Sequence, residues 1–276
     1  MGSTVSPAPP GPAARGAPRE APPRIAIEGV AKEYALAGKV VDALDGVSLA
    51  VEPGEFVSIV GPSGCGKSTL LRILAGLDEP TAGRVEVVVG DGPSRRRLGA
   101  CGYMPQRDML LPWRTVLDNV TLPLEYRGMA RGAARREAAA LLDAFGLGGF
   151  EDAWPAALSG GMRQRAALAR TVLTGRRALL LDEPFGALDA LTRLDMQGWL
   201  LGVWRELGAT VLLVTHDLDE AVYLSDRVYV MGARPGRIVA EVAIPLSRPR
   251  SDDTVASAAF AALKGRLLSA IRATTL

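Results

Sequence analysis

Residues 55–77 read EFVSIVGPSGCGKSTLLRILAGL: an apolar run, a glycine-rich turn and an amphipathic run in immediate succession. No other segment limits the fold so strongly. Gly61, Gly64 and Gly66 let successive backbone N–H groups curl around one centre, as tetrahedral phosphate oxygens require, with Pro62, Ser63 and Cys65 filling the turn between them. The helix that follows points its partly positive N-terminus at the same centre. Lys67 then reaches the β- and γ-phosphates of a nucleotide, and Ser68, with Thr69 beside it, offers a hydroxyl to Mg²⁺. A strand feeding such a turn and a helix leaving it belong to an α/β core that carries its ligand at the C-terminal edge of the sheet.

Two further runs place polar residues on that edge. ALLLDEP, residues 178–184, reads as a buried strand delivering Asp182 and Glu183. From there Asp182 would hold Mg²⁺ through water, and Glu183 would face the γ-phosphate as general base for an attacking water. LLVTHDLDEA, residues 212–221, also follows an apolar strand and presents His216, the single histidine of the chain. A lone histidine is more often structural, but this position makes it a catalytic candidate.

Around these runs, short β-branched segments alternate with Ala/Leu-rich helical ones. The strand candidates are RIAIEGV, VSLAVE, EFVSIVG, GRVEVVV, ACGYMP, ALLLDE, TVLLVTH and DRVYVM. ALLL and TVLLV are apolar on both faces, as interior strands of a covered parallel sheet must be, whereas RIAIEGV and RVEVVV alternate like antiparallel strands. The expected fold class is therefore α/β: a P-loop NTPase core with a mixed sheet, an antiparallel β lobe and an inserted helical subdomain at about residues 107–174. In that insertion, Ala134, Ala138, Leu141, Leu142 and Phe145 keep helical spacing, and Gly146 supplies a stop. The expected organisation is a disordered Pro/Ala-rich tail over residues 1–23, an ATPase domain over 24–250, and a C-terminal extension over 251–276. That extension offers one amphipathic helix on Val255, Ala259, Leu263 and Leu267.

The charge of +2, from 32 basic and 30 acidic residues, is too balanced to make nucleic acid or an anionic membrane the main partner. SRRRL, residues 94–98, is the one tight basic cluster in the expected fold and reads as a solvated hairpin turn. Two cysteines, Cys65 and Cys101, make no disulfide framework and suit a reducing compartment. The opening residues lack the apolar core of a signal peptide, and no apolar run approaches the roughly 20 residues that span a bilayer.

LSGGMRQR, residues 158–165, taken with the glycine loop, Gln106 in GYMPQ, DEPFGALD over 182–189 and His216, makes the chain resemble the ATPase subunit of an ABC transporter. The resemblance runs from about Arg24 to beyond Met231, in five ordered motifs. It implies ATP and Mg²⁺ as cofactors and a head-to-tail homodimer in which Ser159, Gly160 and Gly161 of one subunit contact the ATP held by the other. It also implies that Gln106 senses Mg²⁺ and water and that Asp189 contacts the opposite subunit. Tyr34, in KEY, matches the aromatic that stacks on adenine in similar proteins, or else is a half-buried tyrosine at a strand end. Met162 stands where Gln is commoner, with little loss expected because Ser159 and the backbone make the contact.

QRDMLLPWRTVLDNV and DEPFGALDALTR look like the importer subunits for nitrate, aliphatic sulfonates, taurine and thiamine-precursor pyrimidines. That implies an integral membrane permease, an extracytoplasmic solute-binding protein and a peripheral place on the cytoplasmic face of the membrane. The competing reading is an ABC-type ATPase acting on nucleic acid or ribosomes, which the single ATPase domain and the lack of heptads disfavour. Trp113, between Pro112 and Arg114 and ahead of a Thr115-x-x-Asp118 cap, either shapes a groove for the permease or packs into a local core.

Overall fold

The computed structural model describes residues 22–36, 38–89, 92–93 and 97–274. The segment up to residue 21, most of the expected tail, lies outside the described residues, as do residues 94–96 of SRRRL. Along the chain the strands are β1 (Arg24–Leu36), β2 (Lys39–Val51), β3 (Phe56–Val60), β4 (Ala82–Val89), β5 (Gly92–Pro93), β6 (Gly102–Met104), β7 (Ala178–Asp182), β8 (Thr210–Val214), β9 (Arg227–Met231) and β10 (Ile238–Ala243). The helices are α1 (Lys67–Leu74), α2 (Val116–Val120), α3 (Leu122–Tyr126), α4 (Arg131–Ala144), α5 (Gly160–Val172), α6 (Ala190–Leu207), α7 (Leu218–Leu224), α8 (Asp252–Val255) and α9 (Ala258–Arg272). They fall into two compact units, one within residues 20–103, 177–183 and 208–276, the other formed by 104–176 and 184–207.

The first unit holds two sheets. One has the order β2-β1-β4-β5 and is antiparallel; the other has the order β10-β9-β3-β8-β7-β6. In the second, β9, β3, β8 and β7 run parallel, and β10 closes one edge antiparallel to β9. Every residue of β3, β7 and β8 is buried, as two-sided apolar runs demand. The period of two divides the core. Val57, Ile59, Tyr229 and Met231 pack with α1 through Leu70, Leu71, Ile73 and Leu74, whereas Val60, Val228 and Val230 pack with Val222 of α7 and Phe260, Leu263 and Leu267 of α9. Each such side chain fully buried contributes about 1.5–3 kcal/mol. This mixed sheet, its antiparallel companion and the helical unit agree with the fold class expected from sequence.

Several local expectations need correction. The C-terminal helix takes Leu263 and Leu267 inward as expected, but Val255 and Ala259 are exposed and Phe260 is buried instead. The cause is Ser257, whose side chain accepts from the Phe260 N–H and starts α9 afresh, so α8 and α9 do not share one register. β10 and β5 went unforeseen, although IVAEVA alternates. Arg97 is not a solvated member of its basic cluster: it donates to Ile73 O at 2.7 Å, at the end of α1, and pairs with Glu79.

In the second unit, Thr115 caps α2 by accepting from the Asp118 N–H at 3.2 Å, and Leu117, Val120 and Leu124 are buried. The stretch TVLDNVTLPL forms two short helices rather than one, because Pro123 has no N–H to continue the ladder and sits in the first turn of α3. α2 packs on α4 and α5, with alanines on both of the latter permitting close approach, and Phe145 meets Trp199 of α6 edge-on at 4.1 Å.

Candidate functional site

The glycine loop occupies the turn from β3 to α1. Gly66 sits in the left-handed region at φ 103°, where a Cβ would lie 2.7 Å from Ala43 O. At Gly61 a Cβ would lie 2.3 Å from Met231 O, so neither position tolerates a side chain. Gly64, at φ 77°, faces open space, which leaves its backbone approachable. Lys67 is only 7% exposed, and its ammonium donates to the Gly61 and Pro62 carbonyls, both at 2.8 Å, with Cys65 Sγ at 3.7 Å. The loop thus holds its own cation at the mouth of the helix.

Asp182 ends β7, opposite Val214 of β8, and is 1% exposed. It accepts a hydrogen bond from Ser68, yet its Oδ1 has no partner. Burial pushes its carboxyl up, and the neighbouring Glu183 charge adds to this against the Ser68 hydrogen bond and Lys67. A buried carboxylate with an unpaired oxygen is costly unless a cation meets it, and the Ser68 and Asp182 oxygens suit a hard cation. A hydroxyl beside a single carboxylate is the donor set of a hard cation such as Mg²⁺, an ion usually held by one or two protein oxygens and a bound phosphate chain. Tyr103, beside Asp182, is pushed up to about 12 by burial and by that charge.

Glu183 follows at φ 50°, an uncommon conformation for a bulky side chain that costs roughly 1–3 kcal/mol. Its N–H donates to Val214 O at 2.8 Å, which turns the chain out of the sheet. Oε2 then lies 3.2 Å from His216 Nδ1, so the two residues that the sequence places on one edge are brought into contact.

Tyr34 belongs to the same unit. Its hydroxyl donates to Asp78 Oδ2 at 2.7 Å, and the Lys32 ammonium, paired with Asp78 Oδ1 at 2.7 Å, lies 4.9 Å from the ring centroid. Tyr34 is thus part-buried and tethered, and Lys32 occupies one face of its ring.

The other candidates lie in the helical unit. Ser159 Oγ accepts from the Met162 N–H at 3.2 Å and caps α5, whose first residues are Gly160 and Gly161. Ser159 and Gly160 are exposed, so the helix N-terminus presents free donors to an anion. A Cβ on Gly161 would press on Ala187 O and Leu188 at 3.1 Å. Gln164, a residue of LSGGMRQR with no role evident from sequence, is buried and accepts from the Ala187 N–H at 2.8 Å, fixing the loop before Asp189 to α5. Its signal was a polar residue on the inward face of a helix. Asp189 caps α6 through the Thr192 N–H at 3.1 Å, and hydrogen bonds from Thr192 hold its carboxyl below the usual range. Gln106 is exposed in the loop after β6.

Trp113 is 69% exposed, which removes the core-packing alternative. The loop beneath it is firmly held. Buried Asn119 accepts from the Leu111 N–H at 2.7 Å and donates to the carbonyls of Leu111, Arg114 and Thr115, while Arg170 donates to the Asp108 and Met109 carbonyls. Next to Trp113 in sequence, Arg114 lines a cavity of about 390 Å³ with Asp118, Glu125 and Arg131.

A parallel sheet whose strand edge gathers a glycine loop, a buried lysine, a hydroxyl–carboxylate pair and a glutamate–histidine pair defines a P-loop nucleoside triphosphatase. The family model for ABC transporters matches residues 44–186. The chain is 48% identical over 236 residues to an uncharacterised ABC transporter ATP-binding protein of Methanocaldococcus jannaschii, covering 84% of this chain and 86% of that protein. It is 46% identical over 256 residues to an aliphatic sulfonates import ATP-binding protein of Rhizobium johnstonii, covering 93% and 89%. A solved dimeric ATP-binding cassette in a post-hydrolysis state with ADP and Pi superposes with a TM-score of 0.73 at 33% identity, covering 81% of this chain and all of that one. The chain belongs to the ABC transporter family and is an ATP hydrolase.

Proposed function

We propose that this chain is the ATP-hydrolysing subunit of an importer for a small sulfonate-like solute. It would work as a homodimer beneath integral membrane permease subunits, on the cytoplasmic face of the membrane, with an extracytoplasmic binding protein delivering the solute. The sulfonate-import relative at 46% identity supports the solute class, and nitrate, taurine or a thiamine-precursor pyrimidine are the neighbouring choices. Among the described residues no helix is long and apolar enough to cross a membrane, so passage of a solute would fall to a partner.

The observation that carries the chemistry is the Glu183–His216 contact at 3.2 Å on the edge that also bears Ser68 and Asp182. In this reading the loop N–H groups and Lys67 bind the phosphates, and Tyr34 stacks on the base through the ring face that Lys32 leaves open. Glu183 takes the proton from the attacking water, and His216 orients that carboxylate and the γ-phosphate. Ser68, Asp182 and Gln106 would hold Mg²⁺, which when bound neutralises phosphate charge. Ser159, Gly160 and Gly161 would grip the nucleotide of a second copy, with Asp189 at the subunit contact. ATP would then close the dimer and hydrolysis release it.

The direct test is co-purification with a membrane partner and a screen of solutes for stimulated ATPase activity. Stimulation by a sulfonate is the expected result; stimulation by RNA or DNA with no membrane partner would replace this reading with the nucleic-acid one. His216→Ala should slow hydrolysis by about 10²-fold or more while ATP affinity changes little, as loss of a group acting only in the transition state does. An unchanged rate would make His216 structural. Trp113→Ala should abolish solute-stimulated turnover and leave basal hydrolysis intact, since nothing buried is removed; equal loss of both would remove Trp113 from the coupling role.

A further inference from the structure

His216 raises a mechanical problem. Its side chain is 63% exposed, so packing does not aim the ring at Glu183. The aim must come from the backbone on either side, and both neighbours are locked. The Thr215 N–H donates to Ile59 O of β3 at 3.2 Å, tying this residue to the strand that feeds the glycine loop. The Thr215 hydroxyl accepts from the Asp217 N–H at 3.0 Å, closing a small turn around His216. A hydroxyl has one proton, and here it goes to Glu220 Oε2 at 2.6 Å.

Glu220 is 4% exposed, although it stands in the first turn of a helix, where acidic residues ordinarily face water. It is not needed as the cap. Asp217 already caps α7 by accepting from the Asp219 N–H at 2.8 Å and the Glu220 N–H at 3.3 Å. A buried carboxylate beside a sufficient cap calls for another role, and its short bond to a buried hydroxyl fixes the one orientation in which Thr215 still accepts from Asp217.

We propose that Thr215 and Glu220 are positioning residues that hold the 215–217 turn so that His216 meets Glu183. The inference rests on the reading of His216 as part of the hydrolytic machinery. Removing the brace should disorient the imidazole and leave the glycine loop, Lys67 and Ser68 untouched, so turnover falls and ATP binding does not. Misplacing a reacting group by about 1 Å can cost up to roughly 10²-fold.

Thr215→Val keeps the shape and deletes the hydroxyl, whereas Thr215→Ser keeps the hydroxyl. In the full chain, kcat of Thr215→Val should fall ~10- to ~100-fold with KM for ATP essentially unchanged. Thr215→Ser should retain most of the activity, and Glu220→Gln, which preserves an acceptor, should be milder than Glu220→Ala. In a double-mutant cycle, Thr215→Val should add almost nothing to His216→Ala, because both act through one imidazole. Normal turnover in Thr215→Val beside a slow His216→Ala would overturn the brace alone. So would losses that multiply in the double variant, or a Thr215→Ser variant as slow as Thr215→Val. Normal turnover in His216→Ala would overturn the underlying reading, and the brace with it.

Discussion

Glu183→Gln is expected to stop multiple turnover and to accumulate a dimer that forms only with ATP. The substitution preserves the volume of the side chain and an oxygen able to meet His216, but an amide cannot take a proton from water. Loss of a positioned general base costs about 10²–10⁴-fold, so steady-state turnover should fall to a small residue of the wild-type rate. Because Lys67, the loop N–H groups and Asp182 are unaltered, ATP should still bind. A subunit pair closed by ATP then has no route to opening, and size-exclusion chromatography should show a dimer with ATP and Mg²⁺ that is absent with ADP. Continued phosphate release by the purified variant over many cycles would remove Glu183 from the role of base.

Lys67→Ala should act on the other quantity, affinity. The ammonium is the buried cation of the loop, so its removal leaves phosphate oxygens facing donors of the backbone alone. Truncating one partner of a buried, hydrogen-bonded charge pair costs about 2–5 kcal/mol, equivalent to ATP binding weakened ~30- to ~5,000-fold. Thermal unfolding offers a sensitive measure. At a hundred-fold excess over its Kd, a ligand stabilises its protein by about 2.7 kcal/mol, and the variant should lose that ATP-dependent rise in Tm. Lys67→Arg is not a rescue, since a planar guanidinium does not fit where two carbonyls hold a compact ammonium at 2.8 Å. Wild-type affinity in Lys67→Ala would mean that the backbone alone holds the phosphates.

The parts of this molecule legible in its sequence are those whose chemistry is local. Gly61 and Gly66 announce themselves because no other residue fits beside Met231 O and Ala43 O, and β3, β7 and β8 because burial on two faces leaves no room for alternation. What escaped depends on contacts distant in sequence or on one residue that resets a register. Ser257 restarts the C-terminal helix and so exchanges Ala259 for Phe260 on the buried face. The orientation of a first-turn acid is equally invisible: Asp219 and Glu220 are neighbours of the same charge, yet Glu220 turns inward to Thr215 and Asp219 outward to Lys264. Trp113 is equivocal in sequence and exposed in the fold, because Asn119, which holds the loop beneath it, is an ordinary helix residue in sequence.

One strand serves two cores. Val57 and Ile59 face α1, whereas Val60 lies under α7 in the core that α9 completes, and Gly61 is the next residue. The C-terminal helix, through the core it shares with Val60, is therefore part of the footing of the phosphate loop. In a genetic screen, inactive alleles at Phe260 or Leu263 would map far from the chemistry and invite a regulatory explanation. The simpler cause is a strand that has lost its seat, and such alleles should be suppressed by changes that restore volume around Val60.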